Sequence, residues 1–233
     1  MKEVRGLTYK NIVEGRFVLR KNRFCAEVET GGKVCVCHVK NTGRLKELLT
    51  KDAKVFLEDH GERPDRKTRY SLVAVEKDGY AVNIDSTAPN AVFGEWVRDG
   101  KFVEGVTLVK PETTFGNSRF DYYIEAGDRK IFVEVKGVTL ERDGRFLFPD
   151  APTERGVKHL NELCACIKAG FEAYAVFVVQ INRKGVFSPN TETHPEFAEA
   201  LSAAKECGVG ILCVNCKVTP GSVAINEILE TVV

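Results

Sequence analysis

Apolar and polar positions fall into two regimes along the chain. Residues 15–82 carry short alternating runs that predict strands over Arg16–Arg20, Phe24–Glu29, Lys33–Val39, Lys54–Glu58, Tyr70–Glu76 and Tyr80–Ile84. One short helix is expected at Arg44–Leu49. About five strands in this length predict a small Greek-key barrel of the OB type, with an SH3-like barrel as the competitor. Beyond Ile84 the period changes. Ser86 or Thr87 can cap a helix that has Pro89 in its first turn and runs to Arg98. Strands are predicted at Gly105–Val109, Arg119–Glu125, Lys130–Val138, Phe171–Ile181 and Ile211–Val218. Helices are predicted at Glu154–Lys168, capped by Thr153, and at Pro195–Cys207. Strands alternating with helices predict a mixed α/β sheet. The expected division is therefore 1–82 and 83–233.

Charge sharpens this division. The 233 residues hold 34 Lys and Arg against 33 Asp and Glu, a formal net charge of +1. Residues 1–82 alone hold 18 basic and 12 acidic side chains, and residues 83–233 hold 16 and 21. A basic front and an acidic back point to a polyanion partner for the front half. The basic run Arg63-Pro64-Asp65-Arg66-Lys67-Thr68-Arg69-Tyr70 is the densest candidate for phosphate contact, with an aromatic beside it. Hydrophobic residues make up 43% of the chain, which excludes disorder and low-complexity classes. Met1–Lys10 has no apolar core of a secretory signal. The most apolar run, Ala173–Val179, is far too short to span a membrane. A cytoplasmic protein without a membrane partner is expected. Its eight cysteines are read as reduced, buried, small hydrophobes rather than as a zinc site.

The segment Arg119–Lys136 carries the candidate chemistry. Gly127-Asp128 suits a two-residue hairpin loop. In that register Asp121 faces Glu134, and Lys136 shares the face of Glu134. Phe120, Tyr122 and Ile124, with Ile131, Val133 and Val135, are expected on the apolar face. Opposed carboxylates repel, and a divalent cation offsets that repulsion. A neighbouring lysine can then hold a phosphate or move a proton. The pattern points to a metal site for phosphodiester hydrolysis, with Asp121, Glu134 and Lys136 as catalytic candidates. Arg155 and Lys158 lie at the start of the Glu154–Lys168 helix, where a phosphate can be held. His159 shares a face with Arg155 and is a weaker general-base candidate.

Arg119-Phe120-Asp121, Glu134-Val135-Lys136-Gly137-Val138-Thr139-Leu140 and Phe148-Pro149-Asp150-Ala151-Pro152-Thr153-Glu154-Arg155-Gly156 resemble the sugar fermentation stimulation protein A family. Lys158-His159-Leu160, Asn41-Thr42-Gly43-Arg44 and Pro89-Asn90 extend the resemblance, which runs from about Phe17 to Ile225. It implies an α/β (α+β) fold: an N-terminal OB-like barrel followed by a nuclease-like mixed-sheet domain of the PD-(D/E)xK class. It also implies DNA as partner and Mg²⁺, or Mn²⁺, as cofactor. Asp121, Glu134 and the Val135 carbonyl would be ligands, Lys136 the catalytic lysine, and Glu95 a further acidic ligand on the preceding helix. The expected nucleic-acid contacts are Arg44, Arg63, Arg66, Lys67, Arg69, Arg155 and Lys158. The alternatives are a non-catalytic DNA-binding regulator of sugar (maltose) utilisation genes and a protein acting on RNA. The oligomeric state is left open, a homodimer included.

Overall fold

The computed structural model describes residues 6–233; Met1–Arg5 of the N-terminal stretch lie outside the described residues. After a two-residue strand β1 (Leu7–Thr8) come β2 (Ile12–Asn22), β3 (Cys25–Thr30), β4 (Lys33–Val39), β5 (Lys54–Asp59), β6 (Tyr70–Lys77) and β7 (Tyr80–Asn83). β2 pairs with both β3 and β5, and β6 runs parallel to β4 and closes the barrel. This is the OB-type closure of five strands, with β7 as an appended sixth. Alternation places Ala26, Val28, Cys37 and Val39 inside, where they meet Val55, Leu57, Leu72 and Val75, all fully buried. The helix expected at Arg44–Leu49 is only a turn. Leu45 takes a positive φ of 49°, which a helix interior does not allow, and the backbone closes with Leu49 N donating to Leu45 O.

The second half is a mixed sheet flanked by three helices. Its elements are α1 (Ala88–Arg98), β8 (Val106–Phe115), β9 (Ser118–Ala126), β10 (Arg129–Val138), β11 (Leu140–Arg142), β12 (Arg145–Phe148), α2 (Glu154–Lys168), β13 (Glu172–Val179), β14 (Val186–Pro189), α3 (Pro195–Glu206), β15 (Gly210–Thr219) and β16 (Ser222–Thr231). Strand order is β11-β12-β14-β16-β15-β13-β10-β9-β8, and β1 also pairs with β16. The centre, β10-β13-β15, is parallel; β8-β9-β10 and β15-β16 are antiparallel. The apolar run of β13 is buried on both faces, as a central parallel strand requires. Thr153 caps α2 by accepting from Gly156 N at 3.1 Å. The sequence reading lacked β16, which follows the Pro220-Gly221 turn, and the short strands β11, β12 and β14. It also ended β8 six residues early, at Val109. The expected fold class, an OB-like barrel followed by a mixed-sheet α/β domain, is the one observed.

Buried polar side chains join the two sheets. Gln180 donates to Asn83 Oδ1 at 2.7 Å and to the Asp85 carbonyl at 3.0 Å. Asp85, fully buried, accepts from Lys40 at 3.1 Å and from Tyr9 at 3.3 Å. Lys77 of β6 reaches Glu141 of β11 at 3.4 Å. Asn83, Asp85 and Gln180 are buried and hydrogen-bonded, so these contacts specify one relative placement of the two sheets.

All eight cysteines are free thiols. Burial pushes the Cys37, Cys166 and Cys216 thiols up to about 12, which leaves them neutral. Cys37, Cys166, Cys213 and Cys216 fill space as small buried hydrophobes, as expected, whereas Cys25, Cys35, Cys164 and Cys207 are only half-buried. Among the described residues no helix is long and apolar enough to cross a membrane.

Candidate metal and nucleic-acid site

The hairpin register is the expected one. Ala126 pairs with Arg129, and the ladder continues through Tyr122 opposite Val133. Gly127 supplies the positive φ of the turn, at 61°. Asp121 and Glu134 are the next pair in this register, and here the backbone ladder stops. Asp121 Oδ2 instead accepts from Val135 N at 2.7 Å. A side-chain carboxylate thus replaces a strand carbonyl, and β9 leaves β10. That departure corrects one expectation. Tyr122, Ile124, Ile131, Val133 and Val135 pack together on the α1 side, but Phe120 turns to the opposite face and packs against Phe132 and His159.

Two helices hold the two carboxylates from opposite sides. From α1, Asn90 donates to Asp121 Oδ1 at 2.7 Å, while its own carbonyl accepts from Tyr122 Oη at 2.7 Å. From α2, His159 Nδ1 bonds Glu134 Oε1, which Lys136 Nζ also contacts. Arg155 Nε donates to His159 Nε2 at 3.3 Å. That donor makes Nε2 the acceptor, so Nδ1 carries the proton and donates to Glu134. Glu134 is 5% exposed, and its second oxygen, Oε2, is buried with no hydrogen-bond partner. A buried carboxylate oxygen left bare is costly.

The two acids are driven apart electrostatically. Burial, then the charge of Glu134, raises the Asp121 carboxyl above its ordinary range against the pull of Val135 N, Lys136 and Asn90. Burial also pushes Glu134 up, but His159 and Lys136 outweigh it and hold Glu134 below the ordinary range.

The remaining predicted residues fall into four groups. Glu95 lies further along α1 than Asn90, and its Oε2 is likewise buried and unpartnered. Arg155 and Lys158 start α2; Arg155 is spent on His159, and Lys158 donates to the Asn117 carbonyl at 2.9 Å. Arg63, Arg66, Lys67 and Arg69 form the loop between β5 and β6. Within it Arg69 makes a two-pronged pair with Asp59, both contacts at 2.7 Å, and Arg66 donates to Ser71 Oγ at 3.0 Å. Arg63 and Lys67 are the cations of that loop whose side chains make neither ion pair nor hydrogen bond among the described residues. Arg44 stands exposed on the barrel loop whose backbone N–H donates to Asp150 Oδ2 at 3.2 Å.

Sequence reasoning named Asn90 only within the Pro89-Asn90 motif, with no role at the site, and ranked His159 low. The signal for Asn90 was its place behind Pro89 at the start of α1. The signal for His159 was its i, i+4 spacing from Arg155. Gly137, next to Lys136, admits no side chain: a Cβ there would sit 2.6 Å from Gln180 Oε1 and 2.8 Å from Pro89 Cγ. The site is thus pressed directly against the junction with the barrel.

Two family models match separate stretches of the chain. Residues 18–84 match the model of the SfsA N-terminal OB domain, and residues 87–222 match that of the sugar fermentation stimulation protein RE domain. A sugar fermentation stimulation protein homolog of Clostridium beijerinckii is 51% identical over 97% of this chain and 100% of its own. One from Desulfitobacterium hafniense is 52% identical over 95% of this chain and 96% of its own. The structure of Pyrococcus furiosus SfsA in complex with Ca²⁺ superposes with a TM-score of 0.89 at 27% identity, covering 99% of this chain and 100% of that one. With both domain models and full-length relatives at half identity in agreement, the chain belongs to the sugar fermentation stimulation protein family.

Proposed function

We propose that this protein binds DNA and hydrolyses its phosphodiester bonds at a divalent-cation site built on Asp121 and Glu134. Residues 1–82 serve as the DNA-gripping unit and 83–233 as the nuclease-like hydrolytic unit. The observation that carries the reading is the bare, buried Glu134 Oε2 beside a second desolvated carboxylate and a lysine. Structural ion pairing alone leaves that oxygen unsatisfied; a cation satisfies it and offsets the repulsion between the acids.

The donors fit a hard cation. Asp121 and Glu134 offer carboxylate oxygens. In an extended strand a residue's N–H and C=O point to the same neighbour, so the Val135 carbonyl points toward Asp121 as its N–H does. Among the described residues no three His, Cys, Asp or Glu side chains form a cage. A cation here takes two carboxylates and completes its shell with water and substrate oxygens, the usual arrangement for Mg²⁺ or Mn²⁺. The relative from Pyrococcus furiosus, described in complex with Ca²⁺, supports divalent binding. When bound, such a cation supplies Lewis acidity toward a phosphodiester.

The chain's own groups do the rest. His159 orients Glu134, and Arg155 fixes the tautomer of His159. Asn90 and Val135 N aim Asp121. Lys136 places a positive charge where a phosphate oxygen gains negative charge and can move a proton at the attacking or leaving oxygen. The test is a Mg²⁺-titrated cleavage assay on single- and double-stranded DNA. Wild type is expected to cleave, Lys136→Ala to lose about 10²–10³-fold in rate, and Glu134→Ala to be inactive. Tight DNA binding with no cleavage in Mg²⁺ or Mn²⁺ overturns the hydrolytic reading in favour of the non-catalytic regulator.

A further inference from the structure

The barrel has features that the carboxylate site does not use. Leu19 of β2 and Val36 of β4 both pair with Glu27 of β3, so they stand in one row on the outer face. Leu19, Val34 and Val36 are 44%, 59% and 41% exposed. Phe24, at the corner where β2 turns into β3, is 50% exposed, and the Arg23 guanidinium lies 5.4 Å from its ring centroid. Scattered exposed apolar side chains are ordinary; three on one barrel face, with an exposed aromatic beside an arginine at the adjoining corner, are not scattered.

This corner is fastened to the edge of a cleft. The guanidinium of Arg20 donates to five carbonyls. Asn22 and Arg23 belong to the turn, at 3.3 and 2.9 Å; Asn41, Gly43 and Arg44 belong to the next loop, at 2.6, 2.6 and 3.0 Å. That second loop forms one wall of a cleft of about 310 Å³ between the two halves of the molecule. Asn41 and Gly43 face Thr139, Asp150, Thr153 and Gln180 across it, and it reaches Gly137, the neighbour of Lys136. The volume is at the lower end for ligand sites. It is of the size of one nucleobase with its sugar. Arg23, Arg44, Arg63 and Lys67, along the barrel corner and loops, have no carboxylate partner among the described residues, unlike Lys21, Lys54 and Arg69.

We propose that barrel corner and cleft form one track for single-stranded DNA. Phe24 stacks on an unpaired base, Arg23 and Arg44 hold the adjoining phosphates, and the cleft takes a further base on the way to Lys136. The proposal rests on the DNA reading above and names its substrate class. Stacking on an exposed aromatic suits any unpaired base, and the free cations suit the backbone. In the cleft, Asp150 can accept from a base amino group while the threonine hydroxyls offer both donors and acceptors.

The test measures binding without cleavage. Fluorescence anisotropy in EDTA compares a labelled short single strand of mixed sequence with its blunt duplex. The single strand is expected to bind more tightly. Phe24→Ala should weaken it about 10-fold, Phe24→Trp should restore it, and Thr42→Glu, on an exposed residue of the cleft wall, should weaken it several-fold. Both positions are exposed, so unchanged melting curves confirm that folding is intact. Equal or tighter binding of the duplex, or a Phe24→Ala variant indistinguishable from wild type, overturns the proposal. Single-strand binding that depends on Phe24 in a protein that never cleaves leaves the track standing and removes the hydrolytic reading. Cleavage of duplex with no role for Phe24 does the reverse.

Discussion

The barrel and the mixed sheet spend their charges in opposite ways. On the barrel, Lys21–Glu27, Lys54–Glu14 and Arg69–Asp59 are surface pairs in reach of water. Such pairs contribute little to stability and give way readily to a polyanion. In the mixed sheet, Asp121 and Glu134 are desolvated, and each is held by a named partner from a different helix. There the placement of charge is fixed, and one oxygen is left bare. The lesson is that the near-zero net charge says little about partners. Exposed cations make a surface that can bind a phosphate backbone, and buried anions make a site that can hold a cation.

The comparison can be broken or sharpened in order of expected effect. Phe177 stacks on Phe187 with centroids 4.1 Å apart in the core behind the site. Phe177→Ala should cost about 3–5 kcal/mol in denaturant unfolding. A loss below 1 kcal/mol would mean that the mixed sheet is not the rigid half. His159→Ala removes the group that orients Glu134 and should weaken Mn²⁺ binding about 10–100-fold, measured by calorimetry. Unchanged affinity would reduce His159 to a packing residue.

Arg63→Ala with Lys67→Ala should lower the slope of log affinity against log salt by about 1.4 for single strands, since each released contact contributes about 0.7. Arg69→Ala should change the slope less, because Asp59 already neutralises it. Equal effects of Arg69 and Arg63 would erase the distinction between paired and free cations.

The smallest effect concerns pH. Burial pushes Glu141 up, but Gly144 N–H, Lys77 and Arg183 outweigh that and hold it below its ordinary value of 4.5. A carboxyl depressed in the folded state stabilises above its unfolded pKa and loses that contribution as pH falls through the folded one. Glu141→Gln should therefore cost about 1–2 kcal/mol at pH 7 and flatten the loss of stability below about pH 4.5. An acid limb identical to wild type would show that Glu141 does not link the two halves.

Local signals made much of this legible. Gly127-Asp128 and the alternation around it set the hairpin register, and the register placed Asp121 against Glu134. Thr153 and Gly170 marked the ends of α2. What failed depended on distant contacts. The Arg44–Leu49 helix fails at one backbone angle, that of Leu45. Phe120 changes face because Asp121 takes a strand partner's place at Val135. Asn90 and His159 reach the carboxylates from helices 31 and 25 residues away in sequence. The pairing of Arg69 with Asp59 needs the β5–β6 loop to close on itself. β16 alternates weakly and shows itself only through its pairing with β15.

The central claim is that the buried carboxylate pair is a cation site. Titration of Mn²⁺, followed by its electron paramagnetic resonance signal, tests it without reference to any substrate. The account predicts one bound Mn²⁺ per chain, displaced by Mg²⁺, and lost in both Asp121→Asn and Glu134→Gln variants that still fold. Mn²⁺ binding that survives both substitutions, or a folded wild-type protein that binds none, would contradict it.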